Sequence, residues 1–339
     1  MRPTDSRAMA RKASAGGRSL SRSVAIVGLG KFGTALALAL DAAGVPVAEL
    51  VVRGVADASQ KKLALVVGAR ISSWRDAGLD ADLVWLCVAD GEIGSLAAEL
   101  AARWKSGKRP QVLLHSSGVL GSGVLAPVKK LGTAAGSAHP FRSFPQRAVA
   151  TASLRGVLFG VEGDAAAVRA ARSLVLKMGG EAFSVNARSK ALYHATGSFA
   201  SGLMVALLAA AAEAGGRAGI APKTVAKLLR SLAGGTFQNW YRNGAAASFG
   251  GPIVRGDVET IRLHLASLQG TPELAAIYRA LSGYAVEHLP GEKKSQLRAE
   301  LQETRFARTV PGRKPADRGQ SKKKHAGARA VSQSKRGRG

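Results

Sequence analysis

Cysteine is almost missing from these 339 residues. Cys87 stands alone inside the apolar run Leu83–Val88, so an intrachain disulfide is excluded and a reducing cytoplasm is the expected compartment. Clustered Cys and His at ligand spacing are missing too, and no metal site is expected. The first 22 residues lack the apolar core of a secretory signal, although their Arg/Ser-rich, acid-poor character resembles an organelle transit peptide. Acidic residues are few: 22 Asp and Glu face 49 Lys and Arg, a net charge of +27. Residues 1–22 carry +5 of this and residues 304–339 carry +11, which leaves +11 for the middle. Both tails are rich in Gly, Ser, Ala and basic residues and are expected to be disordered, since they have little apolar surface to bury. The clusters Lys322–Lys324 and Lys335–Arg336 suit weak, sequence-independent contact with nucleic acid, but no aromatic residue follows Phe306, which favours a plain solubilising tail. Residues 191–212 carry no formal charge over a length that would span a bilayer. Tyr193, His194, Thr196, Gly197, Ser198, Ser201 and Gly202 make its first half too polar, so it reads as a buried helix of a soluble domain, with no membrane partner.

What the chain has in quantity is glycine, and three of its 41 glycines organise the rest. Val24–Val27 is a short β-branched run, followed by Gly28-Leu-Gly30-Lys-Phe-Gly33 and then a helix-compatible segment to Leu40. Strand, G-x-G-x-x-G turn and helix in that order form a dinucleotide-binding fingerprint. Gly28 permits the tight turn, Gly30 admits backbone to a pyrophosphate and Gly33 lets the helix pack closely, while Leu29, Lys31 and Phe32 complete the loop. About 20 residues beyond Gly33, where an acid would grip a ribose 2′-hydroxyl, stands Arg53 at the end of the run 47–52. A guanidinium suits a 2′-phosphate, so NADP is preferred to NAD; Glu49 in the same run is the competing acid, and a solvated loop arginine is the bland alternative.

Further apolar runs at 68–71, 82–89 and 111–114, with helical segments at 61–67 and 92–103, read as strands buried on both faces of a doubly wound parallel sheet, an α/β fold. Ligands bind beyond the carboxyl ends of such strands, which points to Val88-Ala89-Asp90 and to His115-Ser116-Ser117-Gly118. The first would line the cofactor; the second would orient substrate, or be an ordinary turn. Residues 137–145 read as a loop in which His139 is extended by the proline after it and lines the site. Residues 156–161 and 182–185, flanking a helix at 165–178, extend the sheet.

From Lys190 onward the pattern is helical. Lys190, His194 and Ser201 recur at helical spacing along one stripe, a setting for a proton donor, although a capping lysine and a packed histidine would leave the same trace. Asn239 precedes the constrained loop 249–257, where Asp257 is a fair N-cap for a helix at 258–268. The organisation expected is a basic tail at 1–22, a Rossmann-type domain at 23–186, a mainly helical domain at 187–290 for substrate and dimerisation, and a helical extension with a basic tail at 291–339.

Taken together, Val27–Gly33, His115–Gly118, His139-Pro140, Lys190–His194 and Gly251–Asp257 resemble a family of Rossmann-like proteins whose C-terminal part is a domain of unknown function, number 2520. These are relatives of pyrroline-5-carboxylate reductase, ketopantoate reductase and the β-hydroxyacid dehydrogenases. The resemblance runs from about Ser23 to Leu289. It implies an N-terminal NADP-binding domain and a helical domain that often mediates homodimers. It also makes Lys190 and His194 the counterparts of an active-site Lys-x-x-x-Asn, with histidine in place of asparagine, and Gly202 departs from an asparagine after Ser201. The activity implied is an NADP-dependent oxidoreductase acting on a small carbonyl, imine or hydroxy acid, in which Lys190 and His194 handle the proton and His115–Gly118, His139, Ser201 and Asn239 bind substrate. The alternative is a sensor or scaffold that binds NADP(H) without chemistry.

Overall fold

The computed structural model describes residues 23–144 and 153–302; both basic tails and the end of the 137–145 segment lie outside them. Within the described chain, contacts divide the fold into one unit that ends at Ala226 and a second that begins at Lys227.

The first unit is built on one sheet of eight strands. They are β1 (Val24–Val27), β2 (Val47–Val52), β3 (Arg70–Ser73), β4 (Leu83–Leu86), β5 (Val112–His115), β6 (Ala134–Pro140), β7 (Leu158–Gly163) and β8 (Glu181–Ser184). The spatial order is β3-β2-β1-β4-β5-β6-β7-β8, parallel throughout except where β7 runs antiparallel to β6. Side chains alternate between faces: Val24, Ile26 and Trp85 enter one apolar core, while Ala25, Val27, Val84 and Leu86 enter the other. Helices α1 (Lys31–Ala42), α2 (Ala58–Val67), α3 (Asp90–Trp104) and α4 (Ala165–Lys177) join the strands. This is the expected doubly wound α/β fold, and the order reverses beside β1, which places the loops after β1 and β4 at the switch point.

Two expectations need correction. Residues 137–140 are not loop but the end of β6, which lacks β-branched residues and so gives no strand signal. Packing overrides propensity there: a Cβ on Gly136 would lie 2.8 Å from Ala167 Cβ, so the strand is composed of small residues because α4 lies directly on it. The apolar stretch at 191–212 is also not buried. It forms α5 (Lys190–Ser198), a π-helical turn (Phe199–Leu203) and α6 (Met204–Arg217), and Phe199, Val205 and Leu207 all face solvent. By length and composition alone, Ala187–Arg217 is long and apolar enough to cross a membrane.

A long helix, α7 (Pro222–Ser248), is broken by Gly244, whose φ of 75° is non-helical. The second unit continues with α8 (Val258–Ser267), α9 (Pro272–His288) and α10 (Lys294–Gln302). These helices enclose a small core of Ile253, Ile261, Leu265, Val286, Leu297 and Leu301. Asp257 caps α8 as expected, accepting from Thr260 N at 3.1 Å.

Candidate active site

The glycine loop is shaped by hard contacts. Gly28 has φ +95°, and a Cβ there would meet Cys87 O at 2.5 Å; a Cβ on Gly33 would lie 2.0 Å from Gly28 O. Both positions therefore exclude a side chain. Gly30 differs, because its Cβ would point into open space. Gly30 is also the N-cap of α1, with no side-chain cap and no acid in the first turn, so the positive end of the helix dipole is unneutralised. An open, uncapped helix start is where a diphosphate binds. Phe32 packs edge-on or tilted against Trp85, Phe144 and Phe159 at 5.5–6.3 Å, and Leu29, whose side chain is core, also borders the cleft beside the loop. Lys31 is exposed.

Beside this loop runs a cleft of about 520 Å³, lined by Gly28–Gly30, Val51–Arg53, Val88 and the face of α3. Arg53 projects from the end of β2 and pairs with Glu92 in the first turn of α3. Ala89 caps that helix and Asp90 opens it, both exposed. Glu49 is no competitor for the ribose. It is buried within β2, accepts from Ser72 Oγ at 2.6 Å and Leu79 N at 2.7 Å, and anchors the 78–79 turn.

The loop after β5 is spent largely on itself. His115 is fully buried, which removes it from the substrate contacts expected of it. Its Nδ1 accepts from Ser117 N at 3.2 Å, and its Nε2 has no partner at hydrogen-bonding geometry, although the Gly121 backbone lies close enough to favour the charged form slightly. Burial, then the nearby Lys190 charge, lowers its pKa to about 3, so the ring is neutral. Ser117 Oγ accepts from Val119 N and Leu120 N, and Ser116 Oγ accepts from Trp85 Nε1 at 2.9 Å. Gly118, buried, is where the turn presses against the pocket histidines: a Cβ there would strike His194 Cδ2 at 2.5 Å and His139 Nε2 at 2.8 Å.

Those two imidazoles stand 5.8 Å apart. His139 Nδ1 bonds Tyr193 Oη at 2.9 Å, and burial lowers its pKa to about 4, so it too is neutral near pH 7. Burial moves the Tyr193 phenol the other way, to about 12. Together with Phe141, Arg142, Ser198 and Ser201, the two histidines line a pocket of about 500 Å³. Ser201 lies within the π turn, seven residues beyond His194, and both line the pocket.

Lys190 does not line that pocket. Only 1% exposed, its Nζ donates to Ser117 O at 2.8 Å and to Ser137 Oγ, with Glu162 Oε1 at 3.7 Å. Glu162 in turn accepts from Ser122 N and Oγ, both at 2.8 Å. Burial lowers the lysine pKa to about 8 while Glu162 pulls it back up. Sequence reading missed Glu92, Glu162 and Tyr193. The only local signal was Tyr193 beside His194; the others are set by strand order. Asn239 is exposed on α7 in the second unit.

A doubly wound sheet with an open glycine loop at its switch point defines a dinucleotide-binding fold. The family comparisons agree: the chain carries a Rossmann-like domain at 9–140 and the Domain of unknown function (DUF2520) at 157–285. Comparison with curated proteins found no match. Among solved structures it is similar to a candidate NADP oxidoreductase from Bacteroides fragilis, at 18% identity and TM-score 0.64, covering 79% of this chain and 99% of that one. It is also similar to a protein from Thermotoga maritima, at 23% identity and TM-score 0.61, covering 82% and 99%. A third is an NADH-preferring ketol-acid reductoisomerase from an uncultured archaeon, at 15% and 0.56, covering 78% and 82%. At these identities the likeness establishes the fold.

Proposed function

We propose that the protein is an NADP(H)-dependent oxidoreductase that reduces a small carbonyl or imine, or oxidises the corresponding hydroxy acid or amine. The observation that carries this reading is the order of features along one sheet edge. Arg53 follows β2, the open Gly30 loop follows β1, Val88 follows β4, Gly118 follows β5 and His139 lies near the end of β6, and these strands are consecutive neighbours with parallel carboxyl ends. A dinucleotide is an extended ligand, and this edge offers it a cation, a diphosphate cradle and then two imidazoles in line.

The cofactor supplies a hydride when bound. The chain's own groups supply the rest. His194, half-buried at the pocket wall, donates the proton to the substrate heteroatom. His139, neutral and fixed by Tyr193, orients the reacting group. Arg142 gives the pocket a cation matched to a substrate carboxylate. Lys190 acts through the loop it grips: by holding Ser117 O and Ser137 it keeps Gly118 against the histidines. The exposed apolar face of α6 serves a second copy of the chain, and the single Cys87, a half-buried thiol whose pKa desolvation raises to about 12, suits a reducing cytoplasm.

Calorimetric titration with NADPH and NADH, followed by absorbance assays of NADPH oxidation with keto acids and cyclic imines, tests the reading. His194→Ala is expected to lower turnover by about 10²-fold or more while NADPH affinity holds. Binding of neither cofactor would overturn the dinucleotide site. Binding without turnover on any substrate would favour a sensor.

A further inference from the structure

The cation that faces a 2′-phosphate is already engaged. Arg53 projects from β2 with its side chain 83% exposed, and its guanidinium pairs with the Glu92 carboxylate across the mouth of the cofactor cleft. The Glu92 carboxylate faces the arginine and stands with Asp90 in the first turn of α3, where the helix dipole favours a negative charge. The other acid of the cleft wall, Glu99, is turned elsewhere and accepts from Trp74 Nε1 at 2.7 Å. Glu92 is thus the anion stationed on Arg53.

We infer that Glu92 is a specificity-determining residue that restrains the preference for NADP over NAD. A 2′-phosphate at Arg53 must displace this carboxylate and then sit beside it, two anions sharing one guanidinium. A 2′-hydroxyl brings no charge and meets no such penalty; it is also a donor that a carboxylate can accept. Arg53 therefore pulls toward the phosphorylated cofactor and Glu92 pulls back, and the wild-type chain discriminates between the two far less than its arginine alone would dictate. This rests on the dinucleotide reading above.

The test is a set of calorimetric titrations of the full-length protein and its Glu92→Gln variant with NADPH and NADH. Glutamine keeps the size and an acceptor but removes the charge, and at this half-buried position the variant is expected to melt with the parent. The ratio of NADPH to NADH affinity should rise about five- to tenfold in Glu92→Gln. In an Arg53→Ala background the same substitution should change the ratio less, because the carboxylate no longer has a cation to withhold. Raising the salt concentration should shrink the effect, since Arg53 is exposed and Glu92 is only half-buried. An unchanged ratio with both cofactors bound would overturn the restraint. A lower ratio would also overturn it, by showing that Glu92 holds Arg53 in place for the phosphate. Failure of the parent protein to bind either cofactor is a separate outcome that sinks the dinucleotide reading itself.

Discussion

Gly30 and Gly33 occupy one motif for opposite reasons. A methyl group on Gly33 would sit 2.0 Å from a backbone oxygen, whereas one on Gly30 would touch nothing in the protein. Gly33→Ala is therefore expected to lower stability by about 1–3 kcal/mol or more, through displaced backbone. Gly30→Ala should melt within about 1 kcal/mol of the parent yet bind NADPH at least tenfold more weakly, because its methyl fills the diphosphate space. Thermal melts and titrations of the pair separate the two roles. The buried histidines give a second residue-scale expectation. His115 and His139 have folded pKa values near 3 and 4, below the unfolded value of about 6.5, so the unfolded chain binds more protons between those limits. Their contribution to stability is complete above pH 6.5 and is lost as pH falls, at about 1.4 kcal/mol per pH unit for each group. Denaturant melts from pH 7 to 4.5 should show this acid limb, and His115→Asn should flatten it by its share; an unaltered slope would contradict a neutral buried ring. Lys190→Met strands Glu162 in the interior and is expected to cost about 3–5 kcal/mol.

At the level of elements, the pocket depends on β7 and α5 meeting without a side chain between them. A Cβ on Gly160 would lie 2.7 Å from Tyr193 Oη, so Gly160→Val should push Tyr193 aside and release His139. Turnover is expected to fall by an order of magnitude or more with NADPH affinity retained; loss of both together would mean the sheet edge itself had shifted. This contact also shows where sequence reading reached its limit. The strands β1, β2, β4 and β5 were legible because they are buried on both faces and read as continuous apolar runs. The loop from Gly28 to Gly33 was legible because close backbone approach demands glycine at fixed spacing. β6 was not, since small residues chosen for helix packing carry no strand propensity, and His139 was thereby read on a loop. Lys190 was picked out as polar on an apolar helix, but its partners Ser117, Ser137 and Glu162 lie 73, 53 and 28 residues away in sequence, beyond any local pattern. His194 and Ser201 were legible as neighbours from their seven-residue spacing, whereas the π turn between them has no signature in the residues themselves.

For the whole molecule, the unresolved balance is between apolar surface and charge. Leu203, Met204, Val205 and Leu207 expose roughly half their area each, on a segment whose composition would also suit a bilayer. Two observations favour a protein surface over lipid. α6 has 14 residues, about 21 Å of helix against about 30 Å of hydrocarbon, and a charge-free span of about 20 residues ending before Glu213 would have to take in Tyr193 and His194, which are packed against His139. A face of this kind on a water-soluble chain is covered by another copy or invites aggregation. The full chain is therefore expected to run as a dimer in light scattering at micromolar concentration. The double substitution Met204→Asp and Leu207→Asp, one turn apart on the same face, should convert it to a monomer with an unchanged far-ultraviolet spectrum. Recovery of the parent with vesicles in a flotation assay, lost in the same variant, would assign the face to a membrane instead and overturn the dimer.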